Sequence, residues 1–272
     1  WPELDVRLAS VTDQWAQITV AGPLSREVLK RIVDADLSEA AVPFLAARAV
    51  RLHSGLAARL FRISFSGELA FELAVPARHG EAVADAIMQA GEPFGITPYG
   101  LEALNVLRIE KGFITHAEID GRTTPGDLGL GKMVSARKDD FVGRVMLSRE
   151  GLQRDDREQL VGLRPVNPAH GILAGGHLLE PDTTPTMAND QGHVTSACWS
   201  PHLKSTIALA MLKRGRERHG ERLMVWDPLR GIETEVVVCA PVFVEAGRLG
   251  EVKIARDLDL VQLAAAVQPD LL

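Results

Sequence analysis

The stretch "FRISFSGELAFELAVP", residues 61–76, alternates apolar and polar residues twice, with a break between. Phe61, Ile63 and Phe65 form the first alternation and Ser66-Gly67-Glu68 interrupts it, so the spacing predicts two short strands joined by a tight turn. In the second strand Phe71, Leu73 and Val75 share one face, and Ala70, Glu72 and Ala74 share the other. A carboxylate flanked by methyl groups has two readings. It is a solvent-facing side chain on a half-buried strand, or it orients a flat ligand that the small neighbours leave room for. Spacing leaves both open.

Outward from this hairpin, strand and helix signals alternate. "WAQITVAG" (15–22) reads as a strand, and "GPLSREVLKRIVD" (22–34) as a helix with Pro23 near its start and Leu24, Val28 and Ile32 at four-residue steps. Residues 49–76 read as three antiparallel strands with turns at Ser54-Gly55 and Ser66-Gly67. "ARHGEAVADAIMQAG" (77–91) reads as a helix closed by Gly91. "TPYGLEALNVLRIEKG" (97–112) reads as a second helix with Thr97 as cap, Pro98 in the first turn and Gly112 at the end. A Gly-rich passage (119–134) follows, and then a shorter helix in "KDDFVGRVMLSREG" (138–151), capped by Asp139 or Asp140. From about Glu158 the chain becomes six short strand-like runs separated by turns such as Asp227-Pro228, the pattern of a small β-barrel or sandwich. The fold class expected is α+β, with an α/β region carrying an antiparallel sheet over residues 1–153, an all-β module over 154–247, and a tail over 248–272.

Composition narrows the function. The 272 residues are 46% hydrophobic and carry 30 basic against 36 acidic residues, a net charge of −6, which argues against bulk nucleic-acid binding. The densest basic stretch, "LKRGRERHGERL" (212–223), is diluted by Glu217 and Glu221 and reads as a solvated loop. Cys198 and Cys239 fit neither a metal site nor a disulfide framework, and packing in a reducing, cytoplasmic setting is the expectation for both. No run is long and apolar enough for a membrane helix, and no histidine pair has ligand spacing, so no metal is expected. "GDLGLGK" (126–132) lacks the Lys-Ser or Lys-Thr of a phosphate loop and reads as a close-packed turn. The opening "WPELDV", without Met, reads as a fragment whose upstream portion is missing.

Arg108 stands against pattern as Glu72 does. At about 100° per residue it falls between Leu101 and Leu104, inside the apolar stripe of its helix. An arginine there needs an anion or acceptor nearby, or else its stem snorkels to the helix end. Glu72 and Arg108 together fit two walls of one cleft.

Several separated motifs, in order, carry a resemblance: "WAQITVAGPLSRE", "RLFRISFSGELAFELAVPARHG", "PFGITPYGLEALNVLRIEKG", "DLGLGKMVSARKDDFVGR" and "MANDQGHVTSACWSP". Over roughly residues 1–247 the chain resembles the folate-binding aminomethyltransferase family, typified by the glycine cleavage T-protein. The likeness is greatest to the subgroup at the carboxy-terminal portion of heterotetrameric sarcosine oxidase α subunits. That resemblance implies that Glu72 holds the pterin ring of tetrahydrofolate, its two oxygens accepting from adjacent ring N–H groups. It implies that Arg108 lines the same pocket and that Phe65 and Phe44 are aromatic walls. It also implies one-carbon chemistry: an amine such as sarcosine is oxidised at a flavin elsewhere in the complex, and tetrahydrofolate captures the unit as 5,10-methylenetetrahydrofolate. FAD, FMN and NAD are then expected on other parts of a hetero-oligomeric oxidase, with its other subunits as partners, and not on this chain.

Three departures qualify the resemblance. The family's catalytic aspartate lies upstream of the segment matching Trp1, so no catalytic residue is assigned here. Leu104-Asn105 stands where the T-protein carries Arg-Asp, and the chain continues past "PVFV" into a tail that reads either as an amphipathic helix through Ile254, Leu258 and Val261 or as foreign sequence. The rival readings are a non-catalytic folate-binding or assembly module and a T-protein-like aminomethyltransferase. Phe113, standing where the assembly proteins carry cysteine, counts against the first.

Overall fold

β4 (Ala70–Pro76), the second strand of the opening stretch, lies inside a four-stranded antiparallel sheet of order β1-β4-β3-β2, with β1 at Trp15–Ala21, β2 at Ala47–Arg51 and β3 at Ala57–Phe61. The computed structural model describes residues 3–135 and 137–244, so the tail considered above lies outside the described residues. Packing divides these residues into two compact units, 3–99 and 100–244.

In the first unit β4 pairs with β1 (Thr19 opposite Glu72) and with β3 (Phe61 opposite Glu72). Its interior place, with a strand paired on either side, fits its composition: Ala70, Phe71, Leu73, Ala74 and Val75 are all buried. On the Phe71 face, Leu60, Leu73 and Val75 pack with Val28 and Leu29 of α1 (Ser25–Lys30) and Val83 and Ile87 of α2 (Gly80–Gly91). The expected tight turn is instead a loop. β3 ends at Phe61, and Arg62 continues the pairing by donating its N–H to Ala46 O and accepting from Leu45 N, both at 2.9 Å. Ile63 and Phe65 therefore lie outside the strand.

Two helix ends differ from the sequence reading. α1 stops at Lys30, because Ile32 O and the Asp34 N–H are engaged with His53 and Arg51 next to β2. Gly91 does not close α2. It is helical and buried, a Cβ there would stand 2.6 Å from Ile96, and the left-handed stop falls at Gly95 (φ +70°) after one 3-10 turn.

The second unit opens with α3 (Leu101–Glu110), whose N-cap is Gly100; Thr97 hydrogen-bonds Gly95 O instead of capping. Gly112, at φ +67°, ends α3 as read. The helix expected at 138–151 shrinks to α4 (Arg144–Leu147) with Gly143 at its N-cap, since Asp140 accepts from the neighbouring Phe141 N–H in a turn. All six expected strands form: β5 (Glu158–Pro165), β6 (His177–Leu179), β7 (Gly192–Ser200), β8 (Ser205–Lys213), β9 (Arg222–Asp227) and β10 (Ile232–Cys239). They close a barrel in the order β10-β5-β8-β7-β6-β9, which settles barrel over sandwich.

Val161, Leu163, Leu178, Ala208, Ala210, Leu223 and Val236 fill the barrel. On its outside Ile109 of α3 packs with Leu160, Ile207, Leu209 and Met211. β8 is thus buried on both faces, and its run "STIALAMLK" is apolar without alternation for that reason.

Candidate functional site

Glu72 is half-buried on β4 between two buried alanines. Its Oε2 accepts a hydrogen bond from Gln17 Nε2 on the neighbouring β1, so the carboxylate is oriented by the sheet and keeps acceptor capacity on Oε1. Tyr99 lies in its field: burial first, then the charge of Glu72, pushes the phenol above its ordinary pKa. Phe61, directly across on β3, supplies aromatic surface on the same face. Phe44 and Phe65 lie on the two loops that meet at the hydrogen bonds of Arg62 with Leu45 and Ala46, and both are exposed.

Arg108 belongs to the second unit, where it is buried in a polar network. Its Nε donates to Asn105 Oδ1 at 2.8 Å, Nη1 to Phe113 O and Glu118 Oε2, both at 3.2 Å, and Nη2 to Ser196 Oγ at 2.8 Å. The acceptor that an arginine in the apolar stripe required is therefore Glu118, whose side chain is fully buried. Glu118 also accepts from the Thr115 N–H at 2.7 Å, Thr115 Oγ1 at 3.1 Å, Thr195 Oγ1 at 2.9 Å and Ser196 Oγ at 2.5 Å.

Adjacent strand residues ordinarily point to opposite faces. Here a register shift between Val194 and Ser196 in β7 turns both the Thr195 and the Ser196 hydroxyls onto one carboxylate, as a bulge allows. Burial pushes the Glu118 pKa up. The hydrogen bonds from Ser196, Thr115 and Thr195 and the Arg108 charge outweigh it, holding the carboxyl below its ordinary value.

Glu118 escaped the sequence reading. A signal was present in Thr115-His116-Ala117-Glu118, the Thr-x-x-Glu spacing in which side chain and backbone satisfy each other. The Gly-rich passage is fixed in a related way. Asp127 accepts from the Thr124 N–H and Oγ1, both at 2.8 Å, and from Arg157 Nε at 2.9 Å, so the acidic residue of "GDLGLGK" faces a guanidinium. The basic stretch at 212–223 is anchored as well as solvated: Arg216 donates to Gly126 O, and Arg218 pairs with Glu180 and Glu221. Cys198 and Cys239 are free and half-buried against the α3–β8 cluster. Burial, then the Glu110 charge, pushes the Cys198 thiol up to about 12, which keeps it protonated and unreactive.

No helix among the described residues is long and apolar enough to cross a membrane. The chain matches the GCVT N-terminal domain over residues 1–138 and the glycine cleavage T-protein C-terminal barrel domain over residues 158–245. It is 58% identical, over 89% of its length, to the sarcosine oxidase subunit alpha of Rhizobium meliloti (strain 1021), of which it spans 25%. It is 31% identical, over 80% of its length, to the aminomethyltransferase of Clostridium botulinum (strain Loch Maree / Type A3), of which it spans 57%. Its fold matches the crystal structure of the glycine cleavage system aminomethyltransferase T from Bartonella henselae with a TM-score of 0.56 at 18% identity, covering 86% of this chain and 85% of that one. The chain is thus a member of the glycine cleavage T-protein family, matching its N-terminal domain over residues 1–138 and its C-terminal barrel over residues 158–245.

Proposed function

We propose that this chain is the tetrahydrofolate-binding, one-carbon-accepting portion of a sarcosine oxidase-like enzyme, with residues 1–153 as the folate-binding region and 154–247 as the barrel module. The 58% identity to a sarcosine oxidase subunit alpha supports the choice within the family. The observation that carries the folate assignment is Glu72, a half-buried carboxylate oriented by Gln17 on an interior strand between Ala70 and Ala74. The residues present fit the pterin edge. The alanines leave the carboxylate approachable, its acceptors match a pair of ring N–H donors, and Phe61 and Tyr99 add aromatic surface; Phe65 and Phe44 contribute further walls. The folate assignment does not rest on Arg108, whose donors are spent on Asn105, Phe113, Glu118 and Ser196 within its own unit.

In this reading the chain binds and orients the folate nitrogen that captures the iminium carbon, giving 5,10-methylenetetrahydrofolate, and limits water around it. The flavin oxidation is supplied by other parts of a hetero-oligomeric complex.

Anaerobic titration calorimetry of the purified chain with tetrahydrofolate tests the proposal. Saturable one-to-one binding is expected. Charge-assisted hydrogen bonds contribute about 1.5–3 kcal/mol, so Glu72→Ala is expected to weaken binding about 10- to 150-fold while changing unfolding free energy by less than about 1 kcal/mol. Equal affinity in mutant and parent would remove Glu72 from the site. Absence of binding by the folded chain would show that this portion does not hold folate by itself.

A further inference from the structure

Arg62 is the most voluminous fully buried side chain among the described residues, at 1% exposure. Its Nε and Nη1 are buried without a hydrogen-bond acceptor, and so is Nη1 of Arg26 on α1. The remaining Nη2 groups converge on one oxygen: Arg26 Nη2 lies 2.7 Å from Glu39 Oε2, and Arg62 Nη2 lies 3.6 Å from the same atom. Both guanidinium carbons stand 5.2 Å from the centre of the Phe71 ring.

One carboxylate therefore serves two cations, leaving a net positive charge and three nitrogens whose protons have no acceptor. Buried donors are almost always paired, and a guanidinium cannot escape by losing its proton. Glu39 and Arg26 are the charged groups that act on Arg62, and burial followed by Arg26 opposes its charge. The arrangement is built rather than incidental. Arg62 is fixed by its main-chain bonds to Leu45 and Ala46, and Arg26 sits on α1 next to Ser25, whose hydroxyl is tied to Leu69 O at 2.9 Å. Glu39, with 64% of its side chain exposed, faces solvent at the outer side of the pair.

We propose that Arg26 and Arg62 form a binding site for an oxyanion, a carboxylate or a phosphoryl group, which displaces Glu39 from the two Nη2 groups and forks onto an adjacent unpaired nitrogen of each guanidinium, Nη1 of Arg26 and either Nε or Nη1 of Arg62. Planar guanidinium forks match the spacing of paired oxygens on either group, and the Phe71 ring faces the guanidinium carbons of both cations. The site belongs to the Phe71 side of β4, whereas Glu72 points to the opposite face. It is therefore independent of the folate reading and survives that reading's failure.

The purified chain, titrated with inorganic phosphate and separately with acetate at constant ionic strength set by chloride, tests the site through the midpoint of thermal unfolding and calorimetry. A saturable rise of the midpoint is expected for at least one anion. Preference for phosphate assigns a phosphoryl ligand, and preference for acetate assigns a carboxylate. Glu39→Gln removes the competing negative charge and is expected to tighten binding about tenfold. Arg26→Gln, whose wild-type side chain is 14% exposed, is expected to abolish the effect, and Arg62→Met to do the same where that variant folds. No shift beyond that of chloride in both wild type and Glu39→Gln, or an equal shift in Arg26→Gln, would overturn the proposal.

Discussion

Replacing Glu118 by alanine is expected to lower the unfolding free energy by about 3–5 kcal/mol, the cost of breaking a buried ion pair from one side. The size of the effect comes from what is left behind. Arg108 would remain buried with its charge uncompensated, and the hydroxyls of Thr115, Thr195 and Ser196 would lose their shared acceptor. Glu118→Gln separates charge from shape, because it keeps the side-chain volume and one carbonyl acceptor. Since the folded-state pKa of Glu118 is lowered, its contribution is fully present above the unfolded value of about 4.3 and is lost as pH falls through the folded one. Urea unfolding between pH 7 and pH 3 should therefore show wild type losing stability more steeply than Glu118→Gln below about pH 4.5. Parallel curves would mean that Glu118 does not titrate with folding.

Gly192→Ala is expected to be of comparable severity, at about 3–5 kcal/mol from backbone strain plus overpacking. Gly192 begins β7 at φ +149°, opposite Leu212 of β8, and a Cβ there would stand 2.0 Å from Met211 O and 3.0 Å from Leu212 Cα. Both obstacles are backbone in the β7–β8 ladder, so relief requires the barrel itself to shift. Gly175 provides the control. Its φ is also positive, at +87°, yet nothing lies within 4 Å of an added Cβ, so Gly175→Ala should cost only the strain of about 1–2 kcal/mol. Thermal unfolding of the two variants side by side measures the difference, and equal midpoints would contradict the packing argument.

The six barrel strands were legible because each is a short β-branched or apolar run ended by Gly, Pro, Asn or Asp. Their closure was not, since strand order depends on contacts such as β5 with β10 that no local pattern encodes. The helices were overread for a related reason. The periodic residues of α1 run on to Ile32, but hydrogen bonds from the segment after β2 take the backbone first, and tertiary pairing overrides propensity there.

Arg108 and Glu118 show how far spacing reaches. The helix wheel put Arg108 in the apolar stripe, where it either meets an acceptor or snorkels to the helix end. It could not identify that acceptor, because Glu118 draws its donors from residues 108, 115, 195 and 196, and the two hydroxyls from β7 arrive through a bulge. The alternation around Glu72 made its strand and its face readable, with Ala70 and Ala74 beside it on that face.

The barrel leaves no free strand edge, whereas the sheet of the first unit ends in β1 and β2. Rows of unpaired backbone donors and acceptors invite another strand to add on. In β2 this invitation is blunted: Arg48 and Arg51 project charge along the strand, and the bridge between Val33 and Leu52 covers its end. β1 has no charged residue between Trp15 and Ala21. Among the described residues, β1 is therefore the rim of this sheet that charge protects less.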